Sequence, residues 1–217
     1  MEKKEFYRSN LPHFQQPGQA YFVTWTLKDA VPPKALSDYT SKMNLMQSAI
    51  QLAIQNNLDE SAIQELRKDY SITRKKFMKA YEDVLHLKHK SIVNLSQVEN
   101  NQIVIDALCY WNGKRLQNYA ICVMSNHVHW VFRLFEKDEN NQAVYLQDIL
   151  QSVKRFSATQ INKREGLQGN LWHKESYDTT IRDERHLYEA IEYTKNNPVS
   201  AKLVTNWFDW KGSLLFD

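Results

Sequence analysis

The residues with the clearest chemical potential sit in one short segment, Ser125-Asn126-His127-Val128-His129-Trp130-Val131-Phe132-Arg133-Leu134. His127 and His129 are two apart in a run with strand character, so both side chains leave the same face of a sheet. Val128, Trp130, Phe132 and Leu134 form an apolar stripe on the opposite face, and burying that stripe sets the register and turns both imidazoles outward together. Two neutral imidazoles side by side make a metal-binding pair, and their ligand chemistry alone favours zinc or iron over magnesium. The same pattern also describes two surface histidines on a half-exposed strand. A second constraint lies near the end of the chain. In the helical stretch opened by Arg182-Asp183-Glu184, Leu187, Ile191 and Thr194 share one side, while Tyr193 and Asn197 stack one turn apart on the side away from it. That describes either an ordinary polar surface or a presented phenol with an amide beside it. Other residues carry weaker signals. Lys154 and Arg155, with Lys163 and Arg164 further along the same helix, are either phosphate contacts or a solvated helical face. Trp172 and Tyr177 are base-stacking platforms or core aromatics, and His173 has no spacing partner.

These residues need a scaffold to bring them together. Tyr21-Phe22-Val23-Thr24-Trp25-Thr26-Leu27 follows Pro17-Gly18 and is a strand entered from a turn. Phe6 to Gln16 has no period and is expected as an extended arm. Asn118 to Met124 and His127 to Leu134 are two strands joined by a tight turn at Ser125-Asn126. Ser176 to Ile181 is a further short strand. Helical spacing marks about Tyr145 to Arg164, and Asn197-Pro198 is expected to end the last helix. Between the first two strands, residues 35–112 carry three helical stretches and form an insertion. Residues 61–90 of it hold eight Lys or Arg against four Asp or Glu. The pattern is α+β: an antiparallel sheet with helices packed on one face, one domain over residues 1–217 with the helical insertion inside it.

Composition narrows the function classes. The 217 residues are 42% hydrophobic and 24% charged, with a formal net charge of +3, enough for a buried core and open to a polyanionic partner. No apolar run approaches the roughly 20 residues that span a bilayer, so no membrane association is expected. No apolar segment follows Met1-Glu2-Lys3-Lys4-Glu5, so no secretory signal is expected. The two cysteines, Cys109 and Cys122, have no CxxC partner and fit a reducing cytoplasm. Five glycines leave neither a Walker loop nor a dinucleotide fingerprint, so no nucleotide cofactor is expected.

Four segments in this order resemble the REP-associated tyrosine transposases, within the single-tyrosine HUH superfamily. They are Asn10-Leu11-Pro12-His13-Phe14 with Pro17-Gly18 and Tyr21-Phe22-Val23-Thr24; Met124-Ser125-Asn126-His127-Val128-His129; Ser152-Val153-Lys154-Arg155-Phe156-Ser157-Ala158 with Ile161-Asn162; and Trp172 through Tyr177-Asp178 and Ile181-Arg182-Asp183-Glu184 to Tyr193 and Asn196-Asn197-Pro198-Val199. Ser125 departs from the proline common at its place in the family. The resemblance implies a ferredoxin-like HUH palm, His127 and His129 as the metal pair, Asn197 as third ligand and Tyr193 as nucleophile. It further implies Mg²⁺ or Mn²⁺ as the ion. The activity it implies is cleavage and rejoining of single-stranded DNA beside REP-like hairpins, through a 5′-phosphotyrosine intermediate. Lys154, Arg155, Lys163, Arg164 and Trp172 become DNA-contact candidates, and the enzyme is expected to act as a monomer or homodimer. The competing readings are a domesticated hairpin-binding protein without transposition activity and a small metallohydrolase that uses water.

Overall fold

The computed structural model describes residues 6–8, 12–14, 16–31, 33–86 and 91–216. The chain divides into two compact units, one of residues 1–30 and 90–217 and the other of residues 31–89.

In the larger unit, β1 (Phe6–Arg8) and β2 (Pro12–Phe14) pair as a small antiparallel hairpin in the stretch expected as an arm. The main sheet has five strands: β3 (Ala20–Thr26), β4 (Leu116–Val123), β5 (His127–Leu134), β6 (Tyr177–Thr180) and β7 (Ser213–Leu215). Their spatial order is β6-β3-β5-β4-β7, and every pairing is antiparallel. β5 is therefore the central strand. β4 and β5 are joined at Ser125-Asn126, where the Met124 N–H donates to the His127 carbonyl at 2.9 Å. The architecture is α+β, as the strand and helix pattern predicts. β7 is an additional strand, too short at three residues to show a period.

Three helices complete this unit: α3 (Val98–Cys109), α4 (Leu146–Glu165) and α5 (Glu184–Ser200). Residue alternation gives the sheet two faces. On one, Trp25 packs edge-on against Trp130 and Trp172, with ring centroids 6.2 and 6.0 Å apart. The indole N–H of Trp130 donates to Asn118 Oδ1 at 2.7 Å, and Trp172 donates to Ser157 Oγ of α4 at 3.0 Å, so these two burials keep their polar atoms satisfied, whereas Trp25 Nε1 is buried without a hydrogen bond among the described residues. Truncating Trp130 to alanine at this fully buried position is expected to cost about 3–5 kcal/mol. On the other face, Ala20, Phe22, Ala120 and Val131 pack against Leu187, Ala190 and Ile191 of α5. The sheet is thus covered on both faces, not on one. An alternating strand pattern cannot distinguish water from a helix over its less apolar side.

α5 begins with an N-cap, the His186 N–H donating to Asp183 Oδ1 at 2.7 Å. It does not stop at Asn197: the helix runs through Pro198 to Ser200. Proline removes only the bond to the carbonyl four residues back, that of Thr194, and the turn continues because the Ala201 N–H still reaches the Asn197 carbonyl at 2.9 Å. α4 ends at Gly166, whose φ of 67° is the left-handed cap that glycine adopts without strain.

The smaller unit is a helical hairpin of α1 (Pro33–Gln55) and α2 (Glu60–His86). Asp59 caps α2 by accepting from the Ala62 N–H at 2.9 Å and the Ser61 hydroxyl at 2.6 Å, which holds its carboxyl below the usual range. α3, the third helical stretch of the expected insertion, lies in the larger unit, where it pairs with α4. Among the described residues no helix is long and apolar enough to cross a membrane.

Candidate active site on the sheet face under α5

His127 and His129 lie at the start of β5 and project from the α5 face of the sheet. Strand alternation places them together as the sequence predicts, but they do not face solvent: they are 1% and 0% exposed. Their Nε2 atoms converge at 3.0 Å. Each ring is held from behind, His127 Nδ1 by Asn126 Oδ1 at 2.6 Å and His129 Nδ1 by Thr24 Oγ1 at 2.9 Å. An amide oxygen only accepts, so His127 carries its proton on Nδ1 and presents a lone pair at Nε2. The Thr24 hydroxyl can accept or donate. With it donating, His129 Nε2 keeps a proton for His127 Nε2; with it accepting, both Nε2 lone pairs point at one spot. In the second arrangement the two lone pairs can share a cation, and imidazoles oriented by a partner on the other nitrogen are the usual form of a histidine metal site. The 3.0 Å separation also matches the edge of an octahedron with bonds of about 2.1 Å. The donor set therefore fits a small divalent ion.

Tyr193 is on α5, beside this pair. Its ring meets His129 edge-on with centroids 5.5 Å apart, and Phe22 at 5.6 Å. Phe22 in turn stacks on His129 at 5.9 Å. Tyr193 remains 42% exposed, whereas Asn197, one turn on, is only 2% exposed. The buried side of α5 is formed by Ala190, Thr194, Asn197 and Pro198. Tyr193 and Asn197 therefore do not lie on the side away from the sheet. Leu187 and Ile191 alone misplace the inward face, because the sheet surface beneath this part of α5 is itself polar, built from histidines and threonines.

The remaining candidates do not gather at this point. The Lys154 amine donates to the carbonyls of His173 at 2.9 Å and Lys174 at 3.4 Å and lies 3.5 Å from Ser176 Oγ. Burial pulls its pKa down to about 8, against the pull of Glu175 upward. Arg155 and Lys163 are exposed on α4. Arg164 is bound to Glu99 of α3 at 3.0 Å and to Glu165, joining two helices. Trp172 is 6% exposed and belongs to the tryptophan cluster described above. His173 is half-buried, which holds its pKa below the usual value. Three contributors escaped notice in the sequence: Thr24, Phe22 and Asn126. The signal for the first was present, since Thr24 and Thr26 are polar positions on one face of an otherwise apolar strand, and they pair directly with His129 and His127.

Comparison with known proteins follows the same lines. No family model matches the chain. A curated Haemophilus influenzae protein described as a REP-associated tyrosine transposase is 28% identical over 98 residues, covering 43% of this chain and 56% of the relative. The match thus spans little more than half the relative's length. A solved structure of a REP-associated tyrosine transposase bound to a REP hairpin superposes with a TM-score of 0.52, covering 98% of this chain and 82% of that one at 14% identity. The second likeness is one of fold. In sequence over those 98 residues, and in fold along nearly its whole length, the chain is similar to REP-associated tyrosine transposases.

Proposed function

We propose that the chain is a transposase of this kind, a metal-dependent transesterase that cleaves and rejoins single-stranded DNA beside a hairpin. The observation that carries the proposal is the placement of a half-exposed phenol, Tyr193, edge-on against one of two imidazoles whose Nε2 atoms converge at 3.0 Å. His127 and His129, with Asn197 as third donor, would hold Mg²⁺ or Mn²⁺, which supplies charge to polarise a non-bridging oxygen of the scissile phosphate. Water and phosphate oxygens would complete the shell of so hard an ion.

The geometry supports roles for the protein's own residues. Tyr193, half-exposed and with its ring against Phe22 and His129, would present its hydroxyl to the phosphate. Its oxygen bonds to phosphorus as the bond from phosphorus to the 3′-oxygen breaks, leaving a 5′-phosphotyrosine and a 3′-hydroxyl. The phenol loses one proton and the leaving oxygen gains one. The phosphodiester is exchanged, so rejoining needs no nucleotide. α5 supplies orientation: a phenol and an amide one turn apart on one rigid element keep their spacing through the reaction. Burial of both imidazoles keeps water from competing for the histidine nitrogens.

The test is a denaturing gel of wild type and Tyr193→Phe with hairpin-flanked single-stranded DNA and Mn²⁺. A covalent band in wild type alone, removed by EDTA, is the expected result. Hairpin binding with no adduct would favour a domesticated binder. Cleavage surviving in Tyr193→Phe would make water the nucleophile and overturn the tyrosine assignment.

A further inference from the structure

A cleft of about 680 Å³ lies between α4 and the loop of residues 169–176, apart from the histidine pair. Its volume falls in the range of small-molecule sites. The loop owes its shape to an irregular edge. Trp172 bridges Leu27 and Tyr177 pairs with Thr24, so four residues, 173–176, stand where regular antiparallel pairing accommodates two. The arch turns two carbonyls onto the Lys154 amine, while the His173 N–H still bonds the Thr26 carbonyl at 2.8 Å. Residues 173–177 thus flank the stretch of β3 that pairs with His127 and His129 on its other side. Two strand spacings, about 10 Å, separate the arch from the histidine strand, and the cleft lies on the α4 side of the sheet, opposite the face that carries the imidazoles.

The lining has the chemistry of a nucleotide site. Lys154, Arg155 and Lys174 supply positive charge against one acidic residue, Glu175. Leu150, Leu171 and Trp172 give an apolar floor. Gln151 and Arg155 are exposed on α4, and their side chains have no partner among the described residues. They lie four residues apart and so stand side by side on the helix.

We propose that this cleft receives one unpaired nucleotide of the strand running to the His127–His129 pair, with the phosphate at Arg155 and Lys154 and the base edge at the Gln151 amide. The proposal rests on the reading of the chain as a single-strand DNA enzyme and adds a place, around the sheet edge from the histidine face, where a base of the single-stranded flank is held. The lowered pKa of Lys154 agrees with it: its desolvated ammonium lies among His173, Lys174 and Glu175, and an added phosphate would supply the negative charge that Glu175 only partly provides.

Two measurements test the proposal. The first is fluorescence anisotropy of wild type and Gln151→Ala/Arg155→Ala with a labelled DNA hairpin, bare or carrying a single-stranded flank. The flanked hairpin is expected to bind the variant about tenfold more weakly, the size of one lost base contact, while the bare hairpin is unaffected. Equal losses on both probes, or none on either, would overturn the pocket. The second places 4-thiothymidine at each flank position of the same hairpin and maps photo-cross-links by mass spectrometry. Cross-links from one position to peptides within residues 147–176 are expected, and cross-links confined elsewhere would overturn it. If wild type forms the Tyr193 adduct but fails these tests, only the pocket falls. If it binds neither probe, the transesterase reading falls with it.

Discussion

At the scale of single residues, Thr24 links the fold to the proposed chemistry. Its hydroxyl lies 2.9 Å from His129 Nδ1, and both residues are buried from water. Thr24→Val keeps the shape and removes the bond. The Mn²⁺ concentration giving half-maximal adduct should rise ten- to a hundredfold. Folding stability should fall by about 1–3 kcal/mol, because a buried nitrogen loses its partner. A variant that loses stability with unchanged Mn²⁺ dependence would show Thr24 to be structural only. Lys154 gives a pH signature of the opposite sense to an ordinary ion pair. Its folded pKa of about 8 lies below the ordinary lysine value of 10.5, so above pH 8 the unfolded chain holds more protons and stability rises with pH up to about 10.5. Comparing urea midpoints at pH 7.5 and 9.5, wild type should gain relative to Lys154→Met, by at most about 2 kcal/mol. Groups common to both proteins, such as Cys109, cancel in that difference.

At the scale of elements, α5 is the part on which the site depends most. It carries Tyr193 and Asn197, and it sets the Tyr193 ring against His129. Its first turn is held by the Asp183 side chain on the His186 N–H. Asp183→Ala should lower stability by about 1 kcal/mol, read by thermal or urea unfolding. Adduct formation should change little, since Tyr193 lies more than two turns from the cap. A large loss of activity at unchanged stability would instead mean that the start of α5 contacts DNA. Strands β3, β4, β5 and β6 were legible from composition because β-branched and aromatic runs ended in turn residues, and the two-residue connection at Ser125-Asn126 is where the sequence predicts it. The end of α5 was not legible. Pro198 is a stop signal by local rules, yet packing over the sheet carries the helix two residues further.

At the scale of the whole molecule, the helical unit of residues 31–89 is inserted between two points that lie close together. The Ile92 N–H donates to Asp29 Oδ2 at 2.8 Å, so the chain leaves and re-enters the larger unit at nearly the same place. A short Gly-Ser linker in place of residues 31–89 should leave the tryptophan cluster packed, read as an unchanged near-ultraviolet circular dichroism spectrum. If the basic helices grip the hairpin stem, the slope of log affinity against log salt should become shallower. An unchanged slope would assign the insertion another role.

The sequence by itself determined which residues share a face. Period two in β5 puts His127 and His129 together and sets the tryptophan stripe opposite, because the side-chain alternation of a strand leaves no other choice. It also placed Tyr193 and Asn197 one turn apart on one helix. Only the tertiary structure decided what covers each face. α5 lies over the face that carries the histidines and brings Tyr193 against His129, which no local period encodes. The same holds for the basic and aromatic candidates. Lys154 is held by carbonyls some 20 residues away in sequence, Arg164 is joined to another helix, and Trp172 is packed beneath α4. A side chain's type limits the partners it can take, but long-range packing selects among them.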